Sequence, residues 1–166
     1  DDTVITTLPF NYAYGLSVIH THLAKGARVV LSEYSVIDKL FWQLLEQEKV
    51  TSLSGVPYTY EMLLRLGLAK KELPFLRYLT QAGGKLSVNR VKALAEYGVA
   101  SNTPFYVMYG QTEATARMAY IEPCSVINKP DSIGKPIEQG SFYLMDAQGS
   151  EIERAGVAGE LVYRGP

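Results

Sequence analysis

The chain has 166 residues, 47% of them hydrophobic and 20% charged, with a formal net charge of −1. That is an ordinary folded domain with enough length for a sizeable core, and it excludes a basic nucleic-acid surface or a polybasic membrane face. No apolar run reaches transmembrane length and the start is not a secretory signal. Cys124 is the single cysteine, so no internal disulfide can form and a reducing compartment, the cytoplasm, is the expectation.

In chain order, residues 3–8 read as a strand. Residues 15–23 read as a helix with Leu16, Ile19 and Leu23 on one face. A buried strand over 27–31 follows, then a helix over 36–48 with Ile37, Phe41, Leu44 and Leu45 on its apolar stripe. A short strand over 51–54 precedes Pro57, which suits the first turn of a helix running to Leu66. Residues 77–81 read as a strand. Ser87 can N-cap a helix carrying Val88, Val91, Leu94 and Ala95, with Gly98 where a left-handed C-terminal residue belongs. Residues 104–109 are the next strand. This alternation predicts an α/β fold, a mostly parallel sheet flanked by helices.

After about Pro123 the pattern changes. Proline and glycine become frequent and helical spacing stops. Residues 141–146 alternate, 146–149 form a turn, and 160–164 read as another strand. The expected division is an α/β subdomain over 1–123 and a piece of a small β subdomain over 124–166.

The segment Tyr106-Val107-Met108-Tyr109-Gly110-Gln111-Thr112-Glu113-Ala114-Thr115 concentrates the chemistry. Tyr109 offers a flat face to a base, and Gly110 permits a turn that a side chain would block. Thr112 offers a hydroxyl to a phosphate, and Glu113 a hard carboxylate to Mg²⁺. Together they describe one face of an ATP site. The plainer alternative is a strand, a turn and a solvated glutamate.

Position supports the first reading. Ligands bind outside the carboxyl ends of strands in open α/β sheets, and Tyr12, Gly83, Gly84 and Tyr109 all follow predicted strands. Their loops are expected to converge on one cleft. Gly83 and Gly84 let backbone approach a flat ligand, or make a plain strand-to-helix turn. Gly84-Lys85 is not a P-loop, because Leu86 follows Lys85 and Leu79 holds the first glycine's place. His20 and His22 are two apart and point to different sides of a helix, so they are better read as satisfied or solvated than as metal ligands. Cys124 has no evident base nearby and is not expected to be catalytic.

YGQTEAT resembles the signature of the adenylate-forming superfamily, which includes acyl-CoA synthetases, adenylation domains and luciferases. Other stretches match in the family's order. They are Leu8-Pro9-Phe10-Asn11-Tyr12-Ala13-Tyr14-Gly15-Leu16, Gly55-Val56-Pro57, Ala82-Gly83-Gly84-Lys85-Leu86, Gly134-Lys135-Pro136 and the run from Gly159 to Pro166. The resemblance covers essentially the whole chain and is closest in kind to long-chain fatty-acid–CoA ligases. It implies a parent enzyme that joins a carboxylic acid to AMP from ATP and then passes the acyl group to coenzyme A. It also implies roles. Thr112 contacts phosphate, Glu113 holds Mg²⁺ and Tyr109 stacks on adenine. Lys85, Gly110 and Gln111 complete the nucleotide-binding stretches. Gly83 and Gly84 line the base and the acyl pocket, and Tyr12 takes the place of the family's gating histidine.

Family members that select acetate carry a bulky aromatic where Gly110 stands. Its absence, beside a flexible Met108, implies a pocket for an acid larger than acetate, aliphatic or aryl. The family's Ser/Thr/Gly-rich phosphate loop and late catalytic lysine have no counterpart here. Asp1 and Pro166 are therefore expected to be cut points inside a longer enzyme, and the isolated chain is expected to be inactive. Two alternatives stand beside this reading: an adenylation domain that loads a carrier protein, and a non-catalytic ligand-binding or interaction module.

Overall fold

The computed structural model describes residues 2–166. Its centre is a seven-stranded sheet built from β1 (Thr3–Ile5), β2 (Arg28–Val30), β3 (Ser52–Gly55), β4 (Tyr78–Gln81), β5 (Phe105–Tyr109), β6 (Ala119–Ile121) and β7 (Lys135–Pro136), in the order β2-β1-β3-β4-β5-β6-β7. The first five strands run parallel, and β6 and β7 are antiparallel to their neighbours. A separate antiparallel pair, β8 (Ser141–Met145) and β9 (Glu160–Arg164), follows. The mostly parallel sheet flanked by helices is the fold class expected from the alternation.

The two faces of the sheet differ because its strands alternate. Ile5, Leu53, Leu79 and Phe105 point to one side. There they pack with Phe41 and Leu45 of α2 (Lys39–Gln47), Tyr60 and Leu63 of α3 (Pro57–Arg65), and Val91 and Leu94 of α4 (Val88–Ala100). This is the main core. Ser52, Ser54 and Thr80 form the other side with Val4 and Ala82, under α1 (Ala13–Ala24). A polar sheet face selects the polar face of its helix. Tyr14, Gly15, Val18 and His22 are buried, and the Tyr14 hydroxyl lies 2.9 Å from Thr80 Oγ1.

That packing corrects the predicted α1 face: Leu16 and Leu23 are exposed. Three other expectations change. β2 is an edge strand with Arg28 exposed, not a buried one, and Leu31 beyond it is 69% exposed. Ile37 precedes α2 and is exposed, so the buried stripe there is Phe41 and Leu45. Gly98 lies inside α4, where a Cβ would come within 2.8 Å of the Thr103 carbonyl oxygen. It is small for packing, and the left-handed residue after the helix is Asn102, with φ 54°. Ser87 does precede α4, but its side chain makes no capping hydrogen bond. The tail also contains one helical turn, α5 (Pro123–Val126), where helical spacing was expected to stop.

Candidate active site

β5 ends in a hairpin rather than a crossover to a helix. Tyr109 pairs with Ala119 of β6, and Met118 donates its N–H to the Tyr109 carbonyl at 2.7 Å. Residues 111–115 close the tip. The Gln111 N–H donates to the Thr115 carbonyl at 3.0 Å and the Ala114 N–H to the Gln111 carbonyl at 3.2 Å. Thr112 and Glu113 stand exposed on this tip.

Between the hairpin, the β4–α4 turn and residues 130–133 lies a cleft of about 380 Å³. Its walls carry Gly83, Gly84, Lys85, Met108, Tyr109, Gly110 and Gln111, so seven of the ten predicted site residues share one space. Thr112 and Glu113 lie beyond its lining, on the tip next to Gln111. Tyr12 is behind it, with its hydroxyl against Gly83. A larger depression of about 530 Å³ opens beside the ends of β1, β2 and β3 and holds none of the ten.

The glycines have identifiable reasons. Gly83 has φ +78°, and a Cβ there would overlap the Tyr12 hydroxyl. Gly110 is also forced, because a Cβ would run into the Ala116 backbone and come within 2.6 Å of the Thr115 carbonyl oxygen. This bears out the reading that Gly110 permits a turn that a side chain would block. The missing side chain makes room for the returning leg of the hairpin.

Sequence reasoning missed three participants. Gln81, fully buried at the end of β4, donates from Nε2 to the Gly84 carbonyl at 2.8 Å and so holds the glycine turn. Asp131 forms a 2.7 Å ion pair with Lys85, joining opposite walls of the cleft. Both partners are largely exposed, and such pairs contribute about 0–1 kcal/mol. Arg117, two residues past the tip, is half-buried on the α1 side; desolvation lowers its pKa, against the pull of the nearby Tyr14 and Tyr78 hydroxyls. Sequence could have flagged Gln81 as a polar residue in a strand's buried register. Asp131 and Arg117 left no periodic signal.

Tyr109 is half-buried. Its ring is tilted on Phe142 of β8 with centroids 6.4 Å apart, and its hydroxyl accepts from Gln111 Nε2 at 3.0 Å. These contacts fix the ring beside the cleft. For Mg²⁺ the donor set fits in one respect. Glu113 and Thr112 supply one carboxylate and one hydroxyl, and no group of three or more acidic, histidine or cysteine side chains gathers among the described residues. Mg²⁺ characteristically takes one or two carboxylates and completes its shell with phosphate and water.

Comparison with known proteins decides the family. The family model described as "AMP-binding enzyme" matches residues 1–166. The chain belongs to the AMP-binding enzyme family. Among AMP-binding relatives, the indoleacetate–CoA ligase of Aromatoleum aromaticum is 30% identical over 168 residues, covering 100% of this chain and 32% of that protein. The 2-succinylbenzoate–CoA ligase of Staphylococcus aureus is 26% identical over 137 residues, covering 82% of this chain and 26% of that protein. The o-succinylbenzoate CoA synthetase of Bacillus subtilis, solved with its acyl-adenylate intermediate, superposes with a TM-score of 0.84 at 25% identity. That match covers 99% of this chain and 32% of the synthetase. The chain thus spans about a third of the AMP-binding enzymes it matches, and its relatives are CoA ligases.

Proposed function

We propose that the protein carrying this chain is an ATP-dependent carboxylic acid–CoA ligase, and that these residues supply part of its nucleotide and acid sites. The carboxylate attacks the α-phosphorus of ATP and pyrophosphate leaves. The thiol of coenzyme A then displaces AMP from the acyl-adenylate. The observation that carries the reading is the single cleft shared by Gly83, Gly84, Tyr109, Gly110 and Gln111 beside the Thr112–Glu113 tip.

In this reading Tyr109 stacks on adenine against the Gly83-Gly84 backbone, and Lys85 and Gln111 border the nucleotide. Thr112 donates to a phosphate oxygen. Glu113 would hold Mg²⁺, which when bound neutralises phosphate charge. The tip's two backbone hydrogen bonds fix the main chain that carries both side chains. Tyr12 and Met108 pack in one cluster on the α1 side with Tyr14, Ala82 and Ala116, and this cluster borders the acid. The acid is larger than acetate, with an aliphatic or aryl body. Support comes from the CoA-ligase relatives and from the Bacillus synthetase, also solved with ATP and magnesium ion.

The test is acid-dependent ATP–pyrophosphate exchange by the full-length protein, followed by thioester formation on adding coenzyme A. Exchange with thioester formation is expected. Exchange with transfer only to a carrier-protein thiol would assign the adenylation-domain alternative. No exchange with any acid would leave a non-catalytic binding module.

A further inference from the structure

On the α1 side of the sheet, opposite the nucleotide cleft, a polar cavity of about 210 Å³ is lined by His22 of α1, Lys25 just past its end, Ser54, Tyr78 and Thr80 of the sheet, and Arg117. Most of its polar groups satisfy one another. His22 Nδ1 donates to the Val18 carbonyl at 2.7 Å, and its Nε2 faces the Ser52 and Tyr78 hydroxyls at 3.1 and 3.0 Å. Thr80 Oγ1 donates to Ser54 Oγ at 2.9 Å. Arg117 is the exception. Its Nε is sealed from solvent with no hydrogen-bond partner, and the guanidinium is in no ion pair among the described residues. Asp2 is the one acid in the cavity wall, and its Oδ1 is already held by Arg77 at 2.7 Å and Thr51 at 3.1 Å.

A half-buried guanidinium with no counter-charge is an expensive arrangement. It is relieved by an anion, and the planar fork fits a carboxylate best. Lys25, on the same wall, adds to the positive potential. Arg117 also adjoins the cluster proposed above to border the acid. Ala116 precedes Arg117 and packs with Tyr12, Tyr14 and Met108. The Tyr12 and Tyr14 rings are 6.5 Å apart edge to face, and Arg117 lies close to the Tyr14 hydroxyl, so on the ligase reading an acid that reacts beside Tyr12 has Arg117 beyond Tyr14.

We propose that Arg117 anchors a subsite for a second carboxylate, remote from the reacting one, so that the substrate is a dicarboxylic acid with an aliphatic or aryl body. This rests on the ligase reading. It names Arg117 as a specificity residue, distinct from the groups that handle ATP.

The same anion could be a carboxylate of the polypeptide outside this chain, and the experiment separates the two. In the full-length protein, kcat/KM is measured for acids matched in length with and without a second carboxylate. The pairs run from butanedioate against butanoate to decanedioate against decanoate, with 4-phenylbutanoate with and without a ring carboxylate as the aryl pair. Wild type is expected to favour the best diacid by about tenfold or more, the scale of a charge-assisted hydrogen-bond pair. Arg117→Gln should collapse that ratio through the KM of the diacid, and Arg117→Lys should restore part of it. A preference for monoacids in wild type overturns the proposal. So does a variant that lowers both acids alike, the outcome if a polypeptide carboxylate fills the subsite. If no acid is turned over, the ligase reading fails, and the subsite is read from the melting temperature with the diacids alone. A shift in wild type that Arg117→Gln abolishes supports the subsite; equal shifts, or none, overturn it.

Discussion

The Tyr12 hydroxyl rests against the α-carbon of Gly83, so closely that a methyl group at position 83 would occupy its place. A loop from β1 and a turn from β4 are thereby locked together, 71 residues apart in sequence and in contact in the fold. Gly83→Ala should cost about 1–3 kcal/mol, because it combines a positive φ with this overlap. Tyr12→Ala should relieve the overlap and leave only the backbone strain. Urea unfolding of the two single variants and the double variant measures the coupling, expected at about 0.5 kcal/mol or more. Strict additivity would mean that the loops are not locked by this contact.

Tyr60 lies at the bottom of the main core, its hydroxyl donating to the Leu53 and Thr80 carbonyls at 3.1 and 2.8 Å. Burial holds its pKa well above the ordinary tyrosine value, with the Tyr14 hydroxyl adding to the effect. The sign follows from linkage. The folded state binds this proton more tightly, so its contribution is complete below the unfolded-state pKa and is lost as pH rises above it. Stability should therefore fall at alkaline pH. Tyr60→Phe should cost about 1 kcal/mol at neutral pH and flatten the alkaline fall, measured by urea unfolding across pH.

Glu113→Gln in the full-length protein should slow the adenylation half-reaction by about 100-fold, if the carboxylate serves metal and phosphate. Transfer to coenzyme A from pre-formed acyl-adenylate should be much less affected, since ATP is already consumed. Single-turnover measurement of each half-reaction reads the difference. Equal damage to both would make Glu113 structural.

Lys85→Ala should change the unfolding free energy by less than about 0.5 kcal/mol, because its ion pair with Asp131 is exposed. If Lys85 borders the nucleotide, the same variant should raise the KM for ATP several-fold in the full-length protein. An unchanged KM would confine Lys85 to bridging the two walls.

The 166-residue chain alone should catalyse no ATP–pyrophosphate exchange. Its cleft offers the nucleotide one lysine, already paired with Asp131, and the sequence has no Ser/Thr/Gly-rich phosphate loop. A charge clamp with so few members lacks several kcal/mol of transition-state stabilisation. Exchange by the purified chain above a no-protein control would contradict this.

The longer elements were legible because each has a period. α2, α3, α4, β4 and β5 sit within a few residues of their predicted places. β6 and β7 escaped because three and two residues are too few to show alternation. The buried face of α1 was misread because its partner surface is Ser52, Ser54 and Thr80, and a helix facing hydroxyls need not present leucines. Most of the candidate site was legible because its motifs are local runs. Gly110 reads from sequence as a residue that permits a turn, and the hairpin bears this out, but the Ala116 backbone that forbids a side chain is visible only once the hairpin closes. Gln81, Asp131 and Arg117 act through partners set by the fold, which no local spacing encodes.

The hairpin that joins β5 to β6 has its legs in different compartments. Tyr109 lines the cleft on the α4 side, and Arg117 lines the polar cavity on the α1 side. The bonds that close the tip and tie Met118 to Tyr109 make one short stiff unit of the two. The hairpin is therefore a single strut between two cavities on opposite faces of the sheet, and a substitution that tilts it should be read in both walls at once.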